Sequence, residues 1–178
     1  MYEVELKVRA DHETVREGLR AAGATHRGTV TQVDTYYDAP HRDFAETDEA
    51  FRVREETRDG QTTTRLTYKG PLVEAESKTR EEFETAVADP EAARGILDGL
   101  GFEPAATVEK ERERFGLDGY TVTLDAVTDL GEFLEVETEA EDIEPAREGA
   151  IRLLRELGLD ADDQIRTSSL GLLLDAPE

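Results

Sequence analysis

The chain has 178 residues, a net charge of −22 and no cysteine; that is one domain with room for a real core, without disulfides or thiolate chemistry. With only His12, His26 and His41 as soft donors, structural zinc is excluded in practice. The acidity excludes a nucleic-acid partner, because each phosphate contact needs local positive charge.

Residues 2–9 alternate charge and hydrophobe and read as a strand, unlike a signal peptide. A helix over 11–22 follows, with an Asp11 cap, Val15, Leu19 and Ala22 on one face, and Gly23 as its stop. Strands are expected over 32–38, 50–57, 62–69 and 79–87, the middle pair joined as a hairpin across Arg58-Asp59-Gly60-Gln61. Asp89 and Pro90 open a helix over 90–100 that should bury Ile96, Leu97 and Leu100 and stop at Gly101. Strands over 106–116 and 119–127 form a second hairpin across Leu117, Asp118 and Gly119, and a last strand covers 132–139. Helices over 145–157 and 164–174 close the chain, the latter through Ile165, Leu172 and Leu173. Eight strands with hairpin links make a mainly antiparallel sheet in an α+β domain spanning 1–178. No apolar run approaches the ~18 residues a membrane span needs, so a cytoplasmic protein without a membrane partner is expected.

Most of the strands have one charged face. Glu3, Glu5 and Lys7 oppose Val4, Leu6 and Val8; Arg52 and Arg54 oppose Phe51 and Val53; Arg65, Thr67 and Lys69 oppose Leu66 and Tyr68. Arg80, Glu82 and Glu84 oppose Phe83 and Val87, while Thr121, Thr123 and Asp125 oppose Val122 and Leu124. Glu135 and Glu137 oppose Leu134 and Val136, and the strand holding Lys110, Arg112 and Arg114 is charged on both faces. Only 4 of the 21 basic residues are lysine, as expected of a surface adapted to concentrated salt, where self-repulsion is screened within ~3 Å at about 1 M. Cations retained at alternate positions on several strands therefore need a reason other than solubility. Eight strands can close into a barrel with helices over an apolar outside and a charged interior. A ring of Lys and Arg needs an anion, and carboxylates beside it need a divalent metal. A polyphosphate with bound Mg²⁺ satisfies both.

Glu3-x-Glu5-x-Lys7, taken with DTYYD at 34–38, FRVR at 51–54, LTYKGP at 66–71, KTREEFE at 78–84, VEKERERF at 108–115, VTLDAV at 122–127 and LGEFLEVE at 130–137, resembles the CYTH family, the triphosphate tunnel metalloenzymes. The resemblance implies an eight-stranded antiparallel tunnel that binds a linear triphosphate with Mg²⁺ or Mn²⁺. It implies Lys7, Lys69, Lys110 and Arg112 as catalytic cations, and Arg52, Arg54, Arg80 and Arg114 as substrate-binding ones. Glu3, Glu5, Asp125, Glu135 and Glu137 match the metal-side carboxylates, and Glu82 and Glu84 stand beside them. Lys78 is expected to contribute little. Within the family the chain looks most like class IV adenylyl cyclases and their archaeal relatives, although Ser168-Ser169 stands where the cyclase-like pattern usually has Ser-Tyr. The expected activity is conversion of ATP to cyclic AMP and pyrophosphate. The alternatives are hydrolysis of inorganic or thiamine triphosphate, and a module that binds nucleotide or polyphosphate without turnover. Self-association as a homodimer is left open.

Overall fold

A computed structural model describes residues 1–175. Its elements are β1 (Tyr2–Arg9), α1 (His12–Ala21), β2 (Thr25–Asp38), α2 (Phe44–Thr47), β3 (Ala50–Arg58), β4 (Gln61–Leu72), β5 (Arg80–Val87), α3 (Pro90–Gly99), β6 (Glu103–Leu117), β7 (Tyr120–Val127), β8 (Gly131–Ala140), α4 (Ile143–Glu156) and α5 (Ser169–Asp175). The strands close into one barrel in the order β1-β5-β4-β3-β2-β6-β7-β8, with every pairing antiparallel. Both expected hairpins are two-residue turns whose residues have positive φ, Asp59-Gly60 and Asp118-Gly119, the chemistry that matches the right-handed twist of the flanking strands.

The barrel is inverted relative to an ordinary β-barrel: the charged faces point inward and the apolar faces outward, under helices. On β1, Val4, Leu6 and Val8 are buried outside while Glu5 and Lys7 are buried inside. The outer apolar faces of β1, β6, β7 and β8 pack against Val15 and Leu19 of α1 and Ala150, Leu153 and Leu154 of α4. Gly149 lets α4 approach β7, since a Cβ there would run into the Tyr120 ring, whose hydroxyl donates to Ala146 O at 2.8 Å. Asp11 and Asp89 cap α1 and α3 by accepting from Thr14 N and Ala92 N, each at 3.0 Å.

Several expectations need correction. β2 begins at Thr25 rather than 32, because it pairs with β6 along its whole length, from Thr25↔Gly116 to Asp38↔Glu103; a bulge at His26/Gly28 breaks the alternation that would have revealed it. α3 buries Leu97 but leaves Ile96 63% and Leu100 64% exposed, because the helix meets the barrel along a single ridge, over Tyr37 and Val53. Residues 164–168 are not helical: a 3-10 turn at Ala161–Asp163 leads into an extended stretch and then α5. Ile165 N donates to Lys7 O at 2.6 Å, so this segment adds a backbone contact to the edge of β1 instead of closing its own helical bonds.

The seam between β1 and β5 positions much of the site. Only Tyr2↔Glu81 and Glu3↔Arg80 are in register there. Beyond them the 73–79 loop takes over, with Lys78 N donating to Glu5 O at 2.9 Å. Among the described residues no helix is long and apolar enough to cross a membrane.

Candidate active site

A cavity of about 770 Å³ occupies the barrel, large enough for a triphosphate carrying an organic group. One wall is acidic. Cross-strand register places Glu5 opposite Glu137 and Lys7 opposite Glu135, and Glu3, Glu5 and Glu137 offer oxygens that all lie within 4.8 Å of one another. Like charges this close raise one another's pKa unless a cation intervenes. Burial and then the charge of Glu3 push the Glu137 carboxyl well above its ordinary range. Glu3 goes the other way: its burial is outweighed by Lys69, a hydrogen bond from Glu137, Arg52 and Lys78, which bring it to about 2. Burial and then Glu135 push Glu5 up, against the pull of Lys78. Three hard oxygen donors this close together, with the Lys69 ammonium at Glu3 and the Lys78 ammonium at Glu5, fit a divalent cation such as Mg²⁺ or Mn²⁺.

The opposite wall is cationic, and its groups divide into held and unheld. Arg54 makes a bidentate pair with Asp34 at 2.6 and 2.7 Å. Arg112 forks onto Asp125 at 2.6 and 3.1 Å and reaches Glu135 at 2.6 Å. Arg114 pairs with Glu56 at 2.9 Å, and Arg80 is tied to Asp48 and to Gly70 O. Lys69 stands between Glu3 at 3.3 Å and Glu82 at 3.2 Å. By contrast Arg52 is buried and its Nε has no partner among the described residues. Among the described residues Lys110 pairs only with Asp34, at 3.9 Å; burial, then Arg112 and Arg54, bring its pKa down to about 7. Donors that lack a counter-charge are those that an anion would satisfy.

The expected residues therefore separate. Glu3, Glu5 and Glu137 come together. Asp125 and Glu135 brace Arg112 instead, and although burial disfavours the charge on Glu135, Arg112, Lys78, Lys110 and Lys7 hold it well below the usual carboxylate range. Glu82 serves Lys69. Lys7 points inward but is not part of the cavity wall: its Nζ donates to Thr167 O at 2.7 Å and lies 5.7 Å from the Phe133 ring centroid. Burial, then the nearby Lys78, bring it down to about 8. Lys78, expected to contribute little, lines the cavity with its Nζ 2.8 Å from Glu5 Oε2. Asp34 also went unassigned, although it opens the DTYYD motif; as an acid on a β-strand it carries no local sign that it faces Arg54 across the register Asp34↔Arg54.

Phe44, Ala105, Ala106, Leu170 and Leu174 also line the cavity, as do Ser168 and Ser169, so it offers apolar surface to an organic group attached to a triphosphate.

Asp34 supports a stability prediction. Its side chain is fully buried, and its own desolvation is outweighed by Arg54, Arg52 and Lys110, so its pKa lies below the ordinary 3.8. A depressed pKa contributes stability that is present above the ordinary value and lost as pH falls through the folded one. Asp34→Asn is expected to cost about 3 kcal/mol at neutral pH, the order of magnitude for breaking a buried pair, and the gap to the unaltered protein should narrow below about pH 4. Urea unfolding at pH 7 and in acid measures both; equal stability at pH 7 would show that Arg54 does not depend on Asp34.

Comparison with known proteins agrees with this geometry. The family model of the CYTH domain matches residues 1–169. A Methanocaldococcus jannaschii protein named "Putative adenylate cyclase MJ0240" is 39% identical over 176 residues, covering 97% of this chain and 98% of that protein. The structure of the PH1819 protein from Pyrococcus horikoshii superposes with a TM-score of 0.90 at 39% identity, over 97% of this chain and 98% of its own. Hippeastrum HpAC1, described as a "putative adenylyl cyclase" that "reveals a dominant" triphosphatase activity, shares the fold at a TM-score of 0.71 and 18% identity, over 97% of this chain and 94% of its own.

Proposed function

The chain belongs to the CYTH domain family, and from that premise we propose that it is a divalent-metal-dependent enzyme acting on a triphosphate held inside the barrel, converting ATP to cyclic AMP and pyrophosphate. The observation that carries the reading is the facing of two walls: Glu3, Glu5 and Glu137 within 4.8 Å of one another, and Arg52, Arg54, Lys110 and Arg112 lining the same cavity. The carboxylates would hold Mg²⁺ or Mn²⁺, which when bound supplies Lewis-acid polarisation of phosphate oxygens. The protein's own contribution is positioning and charge. Arg54 and Arg112 are locked by their carboxylates at fixed angles, so their outward N–H groups are pre-oriented and lose little freedom when phosphate arrives. Arg52 Nε supplies a donor without a partner among the described residues, and Lys110 Nζ one held only by a distant ion pair with Asp34. An anion beside Lys110 would restore its full charge. In a cyclase these groups stabilise the departing pyrophosphate while the ribose 3′-oxygen bonds to the α-phosphorus and the α–β bridging bond breaks. Apolar lining residues such as Phe44 and Leu170 would take the base.

A second reading rests on Ser169. The cyclase-like pattern usually carries tyrosine at this position, and HpAC1 is described by a triphosphatase activity; both favour hydrolysis of the terminal phosphate in the same tunnel. The test is a product assay with ATP, thiamine triphosphate and inorganic tripolyphosphate, each with Mg²⁺ and with Mn²⁺, in molar KCl. Contacts inside a narrow low-dielectric barrel are screened far less than exposed ones at a Debye length of ~3 Å, so binding should survive the salt. Cyclic AMP and pyrophosphate from ATP are expected. Orthophosphate from tripolyphosphate with no cyclic nucleotide would make the protein a triphosphatase, and binding without any product would make it a sequestering module.

A further inference from the structure

The β4–β5 connection, residues 73–79, is fastened on every side. Val73 N donates to Thr79 O at 3.0 Å and Lys78 N to Glu5 O at 2.9 Å. Arg166 donates to Glu74 O at 2.6 Å and to Ser77 O at 3.3 Å, Gln164 donates to Glu76 O at 2.8 Å, and Arg147 of α4 pairs with Glu74 at 2.6 Å. Ser77 and Thr79 are both fully buried, with their hydroxyls 2.5 Å apart. So much fastening of a loop that sits in the barrel seam fixes one thing in the interior, the Cα of Lys78. The side chain is different. It crosses to the carboxylate wall and makes a single ion pair, with Glu5, whereas Lys69 is shared between two carboxylates and Arg112 is held by three bonds. An ammonium on a four-carbon stem is a movable point charge, and this one sits on Glu5 Oε2, a carboxylate of the metal-fitting cluster.

We propose that Lys78 is an internal counter-cation of the Glu3–Glu5–Glu137 cluster, which a divalent metal displaces from Glu5 and which then turns its ammonium to the phosphate chain in the same cavity. This rests on the metal–triphosphate reading above. Metal and lysine compete for Glu5, so the protein without metal does not leave Glu5 uncompensated, and loading of the metal releases a cation to the substrate. The two binding events become coupled: metal strengthens the hold on triphosphate beyond its own contacts, and by linkage triphosphate strengthens the hold on metal.

The test measures binding, apart from turnover. Mn²⁺ is titrated into the protein without triphosphate and followed by the loss of the free-ion paramagnetic signal, for the unaltered chain and for Lys78→Met, which keeps the length of the side chain and removes its charge. Removing a charge-assisted competitor at hydrogen-bond distance should tighten Mn²⁺ binding by about tenfold or more. The same substitution should weaken binding of tripolyphosphate in the presence of Mn²⁺. Equal or weaker Mn²⁺ binding by Lys78→Met overturns the proposal, because a purely structural pair would not compete. Should Lys78→Met fail to fold, the unaltered protein answers the question: it has only 4 lysines, and in protein labelled at lysine Nζ, diamagnetic Mg²⁺ should move the Lys78 resonance more than that of Lys7. A Lys78 signal that stays put as metal saturates overturns the proposal. If the unaltered protein takes up neither Mn²⁺ nor tripolyphosphate, the reading of the site itself fails and this proposal falls with it; if it takes up both and Lys78→Met gains nothing, only the role of Lys78 fails.

Discussion

Glu137→Gln is expected to reduce metal-dependent turnover of triphosphate by on the order of hundredfold or more while leaving the melting temperature at or above that of the unaltered protein. The two halves of this result come from one feature. Glu137 stands beside Glu3 and Glu5, and burial and then the charge of Glu3 push its carboxyl up, toward the neutral form. A neutral amide of the same shape therefore costs the metal-free fold little and removes a group that repels its neighbours whenever it ionises. It also removes an ionisable oxygen donor, so that affinity for Mg²⁺ or Mn²⁺ should fall with activity. Two residues earlier the expectation reverses. Glu135 accepts from Arg112 at 2.6 Å, and Glu135→Gln should destabilise the metal-free protein by about 1–3 kcal/mol, because a charge-assisted bond is weakened in the interior. Calorimetry of both variants with metal removed separates the roles; equal destabilisation by both would mean that Glu137 is a structural partner rather than a member of a metal-fitting cluster.

Arg112→Met should have the largest effect on stability, about 3–5 kcal/mol at neutral pH, since it strands two buried carboxylates without their cation. Asp125 and Glu135 are 2% and 6% exposed at the side chain, and water cannot take over from the guanidinium. The pH dependence gives the mechanism away. In the unaltered protein Arg112 is the main influence that overcomes the burial of Glu135 and holds its pKa far down, so that contribution is present at neutral pH and lost only in acid. Without Arg112, burial should raise the Glu135 carboxyl above its unfolded value, and the variant should lose stability as pH rises through it. The deficit should thus be small near pH 4 and grow toward pH 7. Adding Glu135→Gln to Arg112→Met should recover part of the loss, the opposite of its effect alone, because the pair is coupled. A deficit that is the same at every pH would show that lost packing, not stranded charge, dominates.

These predictions depend on distinguishing Glu135 from Glu137, and here the limits of local information are visible. Both glutamates lie on the same face of β8, so alternation alone gives them one role. What separates them is what lies across the barrel: register sets Glu137 opposite Glu5 and Glu135 opposite Lys7, while Arg112 reaches Glu135 from two strands away. Lys78 and Asp34 were obscured for a related reason. The partner of Lys78 is Glu5, brought near by closure of the barrel, and the partner of Asp34 is Arg54 on the adjacent strand, so no window of neighbouring residues contains either pair.

What the chain determines by itself is whatever depends on neighbours in sequence. Cap residues Asp11 and Asp89, the Asp59-Gly60 and Asp118-Gly119 turns, and the two-residue alternation of charge act over a few bonds, and they set α1, α3, both hairpins and the charged face of most strands. Because those faces carry both signs in a chain short of lysine, even a charged interior could be inferred. The tertiary structure decides everything that needs two distant segments at once. Pairing with β6 carries β2 back to Thr25 through a bulge; β1 draws residues 164–168 out of a helix; and closure of β8 onto β1 turns separate acidic strands into one cluster of three carboxylates. It also decides which cations are spent on carboxylates and which are left for an anion. The reason is range: backbone and turn preferences act between adjacent residues, whereas a buried charge is governed by whichever groups the closed barrel brings within a few ångströms of it.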